Sequence, residues 1–341
     1  MKLNKRKLSI FFGIIISIFF LYISMKGVDY AEIIKALSVA NFYYIIPAVI
    51  LLFLSFWFRA LRWRYLLLPI SNTRSNILFS GILIGYFGNT ILPAHLGELI
   101  RGYIVAKKVN IPMTTIFSTI ITDRLIDLLF LLLFMTVTII IFPLPFWVVN
   151  SGLIMASFFL LLIVVLLILN NKSDLFLRIL SLFLKPFPSR IYQYLEKKLH
   201  LFVKGFLPLK RFNHYLIVVI LSILIWLCWA SVFYLTFHAL GLMSKYNLTW
   251  VASLVLLVVT SISVVIPSSP GYIGTFHWLC QLSLIYLSVP KSEAITYAFL
   301  VHGVLYFPVL VIGFLFLWLE GYTLATIYQS TKMRTDNNIK Y

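Results

Sequence analysis

Glu98, Arg101, Asp123, Arg124 and Asp127 lie close together in a chain that has only ten acidic residues, and all five fall within or beside long apolar runs. An ionised side chain at the centre of a bilayer costs at least ~3 kcal/mol, so residues of this kind must pair and face a polar cavity. Glu98 and Arg101, three positions apart, share one helix face. Asp123 and Asp127 are one turn apart and repel each other unless a cation intervenes, a role that Arg124 or Arg101 can fill. Arg59, Arg62 and Arg64 stand beside Trp57 and Trp63, a pattern that also suits snorkelling anchors at the interface. Arg59 is nearest the apolar segment, so its two-pronged guanidinium is the best placed of the three to meet a phosphate. The chemistry that fits these residues is recognition of an ionic headgroup; the alternative is an ion-pair network that only fixes helix packing.

The elements that carry these charges follow from composition. The 341 residues are 62% hydrophobic and 11% charged, which excludes a soluble domain with a polar surface. A helix needs ~20 apolar residues to cross the hydrocarbon. Stretches 8–25, 42–58, 113–142, 148–169, 213–241 and 294–319 meet that length and predict six full spans. Stretches 76–106 and 248–289 are apolar but broken by Pro and Gly. The basic start, Lys2 to Lys7, is not followed by a small-residue cleavage site, so the first segment is expected to be retained.

A net charge of +18 could suggest nucleic acid, but the basic residues lie between apolar segments, where the positive-inside rule accounts for them. Placing the connections with Arg59, Arg62, Arg64 and Arg74, and the nine Lys and Arg of 170–212, in the cytoplasm puts both termini there as well. Stretch 76–106 must then enter and leave on one side, because its second limb, Gly97 to Ala106, is too short to cross at ~1.5 Å per residue. It is expected to be a re-entrant hairpin whose tip requires a protein-covered cavity.

The tip Pro93-Ala-His-Leu-Gly97 returns as Pro267-Ser-Ser-Pro-Gly271, half a chain later and in the opposite orientation. The expected fold is therefore all-α: a single transmembrane domain of about six spans plus two re-entrant hairpins in an inverted repeat. Repeat 1 runs over about 42–142 with hairpin 76–106, and repeat 2 over about 213–319 with hairpin 248–289. In secondary transporters such paired broken segments mark a substrate site near the midplane. His95 sits within the first tip and His277 six residues beyond the second, which makes both candidates for that site; His302 is expected to be a packing residue.

The linker 170–212 mixes large apolar residues with Lys and Arg, as surface helices on an anionic leaflet do, and the tail 320–341 is expected to end in disorder. Cys228 and Cys280 lie in apolar runs and support neither a disulfide framework nor a metal site. No phosphate-binding G-x-x-x-x-G-K-[ST], nucleophile elbow or zinc helix occurs, so no cofactor and no catalytic residue is assigned.

The blocks Gly97-Glu98-Leu-Ile-Arg101, Asp123-Arg124-Leu-Ile-Asp127 and Pro267-Ser-Ser-Pro-Gly271-Tyr-Ile-Gly274 together resemble the lysylphosphatidylglycerol synthase transmembrane-region family, the flippase-like module of the multiple-peptide-resistance factors. The resemblance spans nearly the whole chain. It implies a multi-pass protein of the cell membrane that translocates an aminoacylated or phosphate-bearing lipid, an activity tied to antimicrobial peptide resistance. Longer members carry a C-terminal synthase part, which is expected to be absent here. By position, Glu98, Arg101, Arg124, Asp127, Pro267, Gly271 and Gly274 match the family's blocks, whereas His277 stands where the family often has an acidic residue. Alternatives are a phosphatidylglycerol lysyltransferase-type headgroup transferase and the membrane partner of a separate synthase or glycosyltransferase; an oligomer is left open.

Overall fold

A computed structural model describes residues 5–92, 95–142, a scatter of positions between 146 and 161, 212–264 and 269–322, with side chains from residue 13 onward. The expected span 148–169 (all but a few positions), the linker 170–212, the tail beyond 322, and the tip residues Pro93 and Pro267 lie outside the described residues. The rest is all-α. In chain order the helices are α1 (Lys5–Met25), α2 (Tyr30–Ser38), α3 (Ile45–Leu67), α4 (Ser75–Ile91), α5 (Leu96–Val109), α6 (Met113–Ile141), α7 (Phe212–Ala239), α8 (Leu242–Tyr246), α9 (Trp250–Ser261), α10 (Thr275–Tyr286) and α11 (Lys291–Leu319).

Four stretches among the described residues are long and apolar enough to cross a membrane: Phe42–Leu67, Met113–Ile141, Asn213–Ala239 and Lys291–Leu319. They correspond to four of the six expected spans. The first expected span meets the test only when Gly13–Met25 is taken with α2, across an 83° bend. Gly27, at φ 74, makes that bend, and the Asp29 carboxylate restarts the chain by accepting the Ala31 N–H at 2.8 Å.

Each half runs helix, two limbs, helix. In the first, α3 leads to the α4–α5 pair and then α6; in the second, α7 leads through α8 to α9 and α10 and then α11. The exits are built alike. Asn110 (φ 54) closes α5 and Pro112 caps α6; Ser288 (φ 65) follows α10 and Pro290 caps α11. A left-handed residue ends one helix, and a proline two positions on stops it from resuming.

The α4–α5 pair is antiparallel and close. A Cβ on Gly81 would meet Val105, one on Gly85 would meet Arg101, and one on Gly88 would fall 2.9 Å from the Gly97 Cα. Glycines therefore line the α4 face, so that an arginine-bearing helix can lie against it without steric cost. Two apolar cores each draw on both halves: Leu52, Phe56, Trp63, Ile82 and Ile120 pack with Val232 and Val304 in one, and Phe233, Val258, Leu284 and Tyr297 with Phe130 and Leu131 in the other. Outward faces stay apolar, with Leu133, Ile140, Ile220, Phe307 and Trp318 exposed, as a helix bathed in lipid tails requires.

A Cβ at Gly97 would sit 1.9 Å from the Gly85 carbonyl oxygen, while one at Gly303 on α11 meets nothing within 4 Å. Gly97→Ala is therefore expected to destabilise the protein by about 3 kcal/mol through overpacking, and Gly303→Ala to be neutral or slightly stabilising. Thermal unfolding in detergent, followed by fluorescence, compares the two.

Candidate functional site

The centre of the site is a pairing of two helices by charge. On α3, Arg59 and Arg62 are three apart; on α6, Asp123 and Asp127 are four apart, and the two faces meet. Arg62 bridges both aspartates, with Nη2 at 2.7 Å from Asp123 Oδ1 and 2.6 Å from Asp127 Oδ1. Its Nε donates to Asp123 Oδ1 at 2.9 Å and its Nη1 to Ser222 Oγ of α7 at 3.0 Å. Arg59 Nη1 reaches Asp127 Oδ2 at 2.5 Å and lies 3.6 Å from Asp123 Oδ2. Both arginines are fully buried. The rings of Trp229 and Tyr86 lie 5.3 and 5.8 Å from the Arg59 guanidinium and supply part of the solvation that water would give.

The hairpin adds a second layer. Arg101 Nε is 2.6 Å from Glu98 Oε2, the intrahelical pair expected from their spacing, and its Nη2 is 3.7 Å from Asp123 Oδ2. Arg101 also lies 5.0 Å over Trp63, whose indole N–H donates to Thr119 at 2.9 Å. Arg124 forms a close ion pair with Glu98 and has Nη1 3.5 Å from Asp127 Oδ2. Asn89 Nδ2 donates to Glu98 Oε1 at 3.1 Å.

Four guanidinium groups thus face three carboxylates, which leaves one positive charge uncompensated within the network. Arg59 Nε and Nη2 and Arg101 Nη1 and Nη2 are buried without a hydrogen-bond acceptor among the described residues. Glu98 Oε2 and Asp123 Oδ2 are likewise buried without a hydrogen-bond donor among the described residues, and such unmade bonds are costly.

A cavity of about 490 Å³ opens against this network. Its polar lining includes Tyr86, Asn89, Thr90, His95, Glu98, Arg124, Asp127 and Tyr272, with Thr260, Ser261, Ser263 and Tyr306 of the second half; the remainder is apolar, including Leu52, Phe56, Leu131, Trp226, Trp229 and Phe233. Of the four arginines only Arg124 lines it, and its side chain is 36% exposed. Arg59, Arg62, Arg101 and Asp123 stand behind the wall. The lining comes from both halves of the chain.

The described residues at the two helix breaks meet beside this cavity, His95 and Thr90 on one side and Gly271 and Tyr272 on the other. His95 Nε2 and Tyr272 OH are 2.8 Å apart, Gly271 abuts Thr90, and His302 Nε2 donates to the Gly271 carbonyl at 2.8 Å. The second tip is also pinned to α1: Ser269 N–H donates to Ser17 Oγ at 2.7 Å, and a Cβ on Gly274 (φ 90) would strike the Ser17 carbonyl.

Most of the sequence candidates converge here. Arg59, Glu98, Arg101, Asp123, Arg124 and Asp127 belong to one network, and His95 lines the cavity. His277 does not line it; it packs behind the second tip against His302. The cation joining the two aspartates is Arg62, assisted by Arg59, where sequence spacing had favoured Arg101 or Arg124, since α3 lies directly across from α6. Arg62 was missed as a site residue, although its i+3 relation to Arg59 was visible; Ser222 and Tyr272 had no such signal.

A UPF0104 membrane protein of Methanothermobacter thermautotrophicus is 26% identical over 277 residues, 76% of this chain and 80% of its own. A second UPF0104 membrane protein, from Methanocaldococcus jannaschii, is 34% identical over 125 residues, and the glycosyltransferase AglD of Haloferax volcanii is 27% identical over 125 residues. Each of these two matches covers 36% of this chain, and the matched part spans 37% of the Methanocaldococcus protein and 20% of AglD. Residues 10–313 match the lysylphosphatidylglycerol synthase TM region, and the chain belongs to that family of membrane proteins.

Proposed function

We propose that this protein translocates a charged lipid headgroup across the cytoplasmic membrane. The observation that carries this reading is the placement of Arg124: a partly exposed guanidinium on the wall of a largely apolar cavity, backed by a network with one uncompensated positive charge. A phosphate diester supplies the missing negative charge and accepts the two-pronged donors of Arg124. Glu98 and Asp127 on the same wall suit a cationic group, such as the amine of an aminoacylated headgroup. Apolar lining beside these charges suits the glycerol and first methylenes of the lipid, while the acyl chains stay in the bilayer.

The topology belongs to the same proposal: six spans, two re-entrant hairpins in an inverted repeat, both termini cytoplasmic, and the basic linker 170–212 on the anionic leaflet. A re-entrant limb is consistent with the 14-residue length of α5, which at ~1.5 Å per residue falls short of a bilayer. A second reading, membrane partner of a glycosyltransferase or synthase, is favoured by the match to one part of a protein named as a glycosyltransferase.

In vesicles containing the purified protein and fluorescent phosphatidylglycerol, lysyl-phosphatidylglycerol or polyprenyl-phosphate sugars, one of these is expected to be translocated. Absence of movement for all three would remove the transport reading, and stable co-purification with a synthase or glycosyltransferase would establish the second. Arg124→Gln is expected to reduce translocation about tenfold or more with the fold intact. Arg62→Ala should instead lower stability by about 3–5 kcal/mol, because it strips a buried pair of aspartates of their shared cation. Melting temperature and transport rate, measured on both variants, separate the two roles.

A further inference from the structure

A second group of titratable side chains lies apart from the arginines, behind the second hairpin tip. His277, near the start of α10, and His302, in the middle of α11, have ring centroids 4.6 Å apart, and His277 is buried. Phe299 lies 4.4 Å from His277, and Tyr306 stacks on His302 at 4.2 Å. Both imidazoles grip the backbone of the tip. His277 Nδ1 accepts the Gly274 N–H at 3.4 Å, and His302 Nε2 donates to the Gly271 carbonyl at 2.8 Å. Between them in sequence, Tyr272 reaches His95 of the opposite tip.

Among the described residues the surroundings of the pair are aromatic and uncharged. Its titratable neighbours are Tyr306, Tyr272 and, one turn along α10, Cys280. Gly13–Met25 of α1, α4, α7 and α9 pack on α10 or α11 and carry no Asp, Glu, Lys or Arg. On α11 itself Lys291 and Glu293 sit at its start, where Glu293 pairs with Lys245 of α8, and α2, which packs on α11, carries Glu32 and Lys35; Arg59 and Arg62 of α3 are turned to the aspartates of α6, and Arg64 of α3 donates to Asn72. Across the tip, Glu98 and Arg124 pair with each other.

An imidazolium placed here would be desolvated without a carboxylate to balance it, and a second one would be repelled by the first. His277, the buried member, has no carboxylate partner among the described residues while the tips are together. Parting of the tips admits water and favours protonation, so by linkage protonation favours parting. Backbone strain is concentrated at the same contact: His95 and Tyr272, the two bridging residues, both have left-handed φ values, 54 and 57.

We propose that His277 and His302 form a proton-binding site that latches the two hairpin tips: neutral, the pair holds the second tip against His95; with a proton on His277 Nδ1, which then no longer accepts the Gly274 N–H, it releases the tip and opens the cavity. As regulation of the cavity this rests on the transport reading, but proton binding and tip release are measurable without any lipid substrate.

The test uses the full chain in nanodiscs, with 13C-labelled histidine for NMR and hydrogen exchange of residues 269–274 corrected for intrinsic rates. One of the two histidine signals, assigned with His277→Gln and His302→Asn, is expected to titrate as the pH falls from about 8 to 4. Exchange at the tip should rise over the same range in the wild type and in His302→Asn, where an amide still donates to Gly271, and lose its pH dependence in His277→Gln. A histidine pair that does not titrate, or titration without any change in tip exchange, would overturn the proposal. Where translocation is seen, acidification should speed the wild type and leave His277→Gln unaffected. If no lipid moves at any pH, the transport reading fails while the two lipid-free measurements still decide the latch.

Discussion

The burial of charge in α3, α5 and α6 is the constraint on which the rest of the architecture depends. In a low-dielectric interior, Asp123 and Asp127 are tolerable only because Arg62 touches both and Arg59 and Arg124 share Asp127. That requirement sets the register of α3 against α6 and brings α7 in through Ser222. It also requires α5 to approach closely enough for Arg101 to stand behind Asp123, which explains why glycines line the facing surface of α4. Packing of the hairpin and electrostatics of the network are thus one problem with one solution.

Such a network holds the helices in place but is incompletely satisfied. Buried guanidinium groups with unpaired donors, and one positive charge more than the carboxylates offset, describe a site that gains from an anion. The arrangement separates the work between residues: Arg59, Arg62 and Arg101 are sequestered as support, and Arg124 alone of the four reaches the cavity. The second half contributes no comparable charge. Its wall is built from aromatic rings, serines and threonines, and two histidines behind it are tied to the second tip.

Much of this is legible in the sequence. The apolar runs fix helices and a bilayer setting, because a chain this hydrophobic cannot cover itself with polar surface. The i,i+3 spacing of Glu98 and Arg101 and the i,i+4 spacing of Asp123 and Asp127 are local, so helical geometry alone predicts that each pair shares a face, and the structure agrees. The Pro and Gly breaks at both tips likewise announce interrupted helices.

What the sequence could not determine is which face meets which. Arg62 reads as an interface anchor until α3 is laid against α6, and Tyr272 reads as one more aromatic residue until the second tip is brought to His95. His277, marked by its closeness to the tip, sits behind the cavity because α10 turns that side toward α11. Helix type and the partners one turn away follow from short-range periodicity. Pairing across helices depends on packing between segments far apart in the chain, and only the tertiary structure decides it.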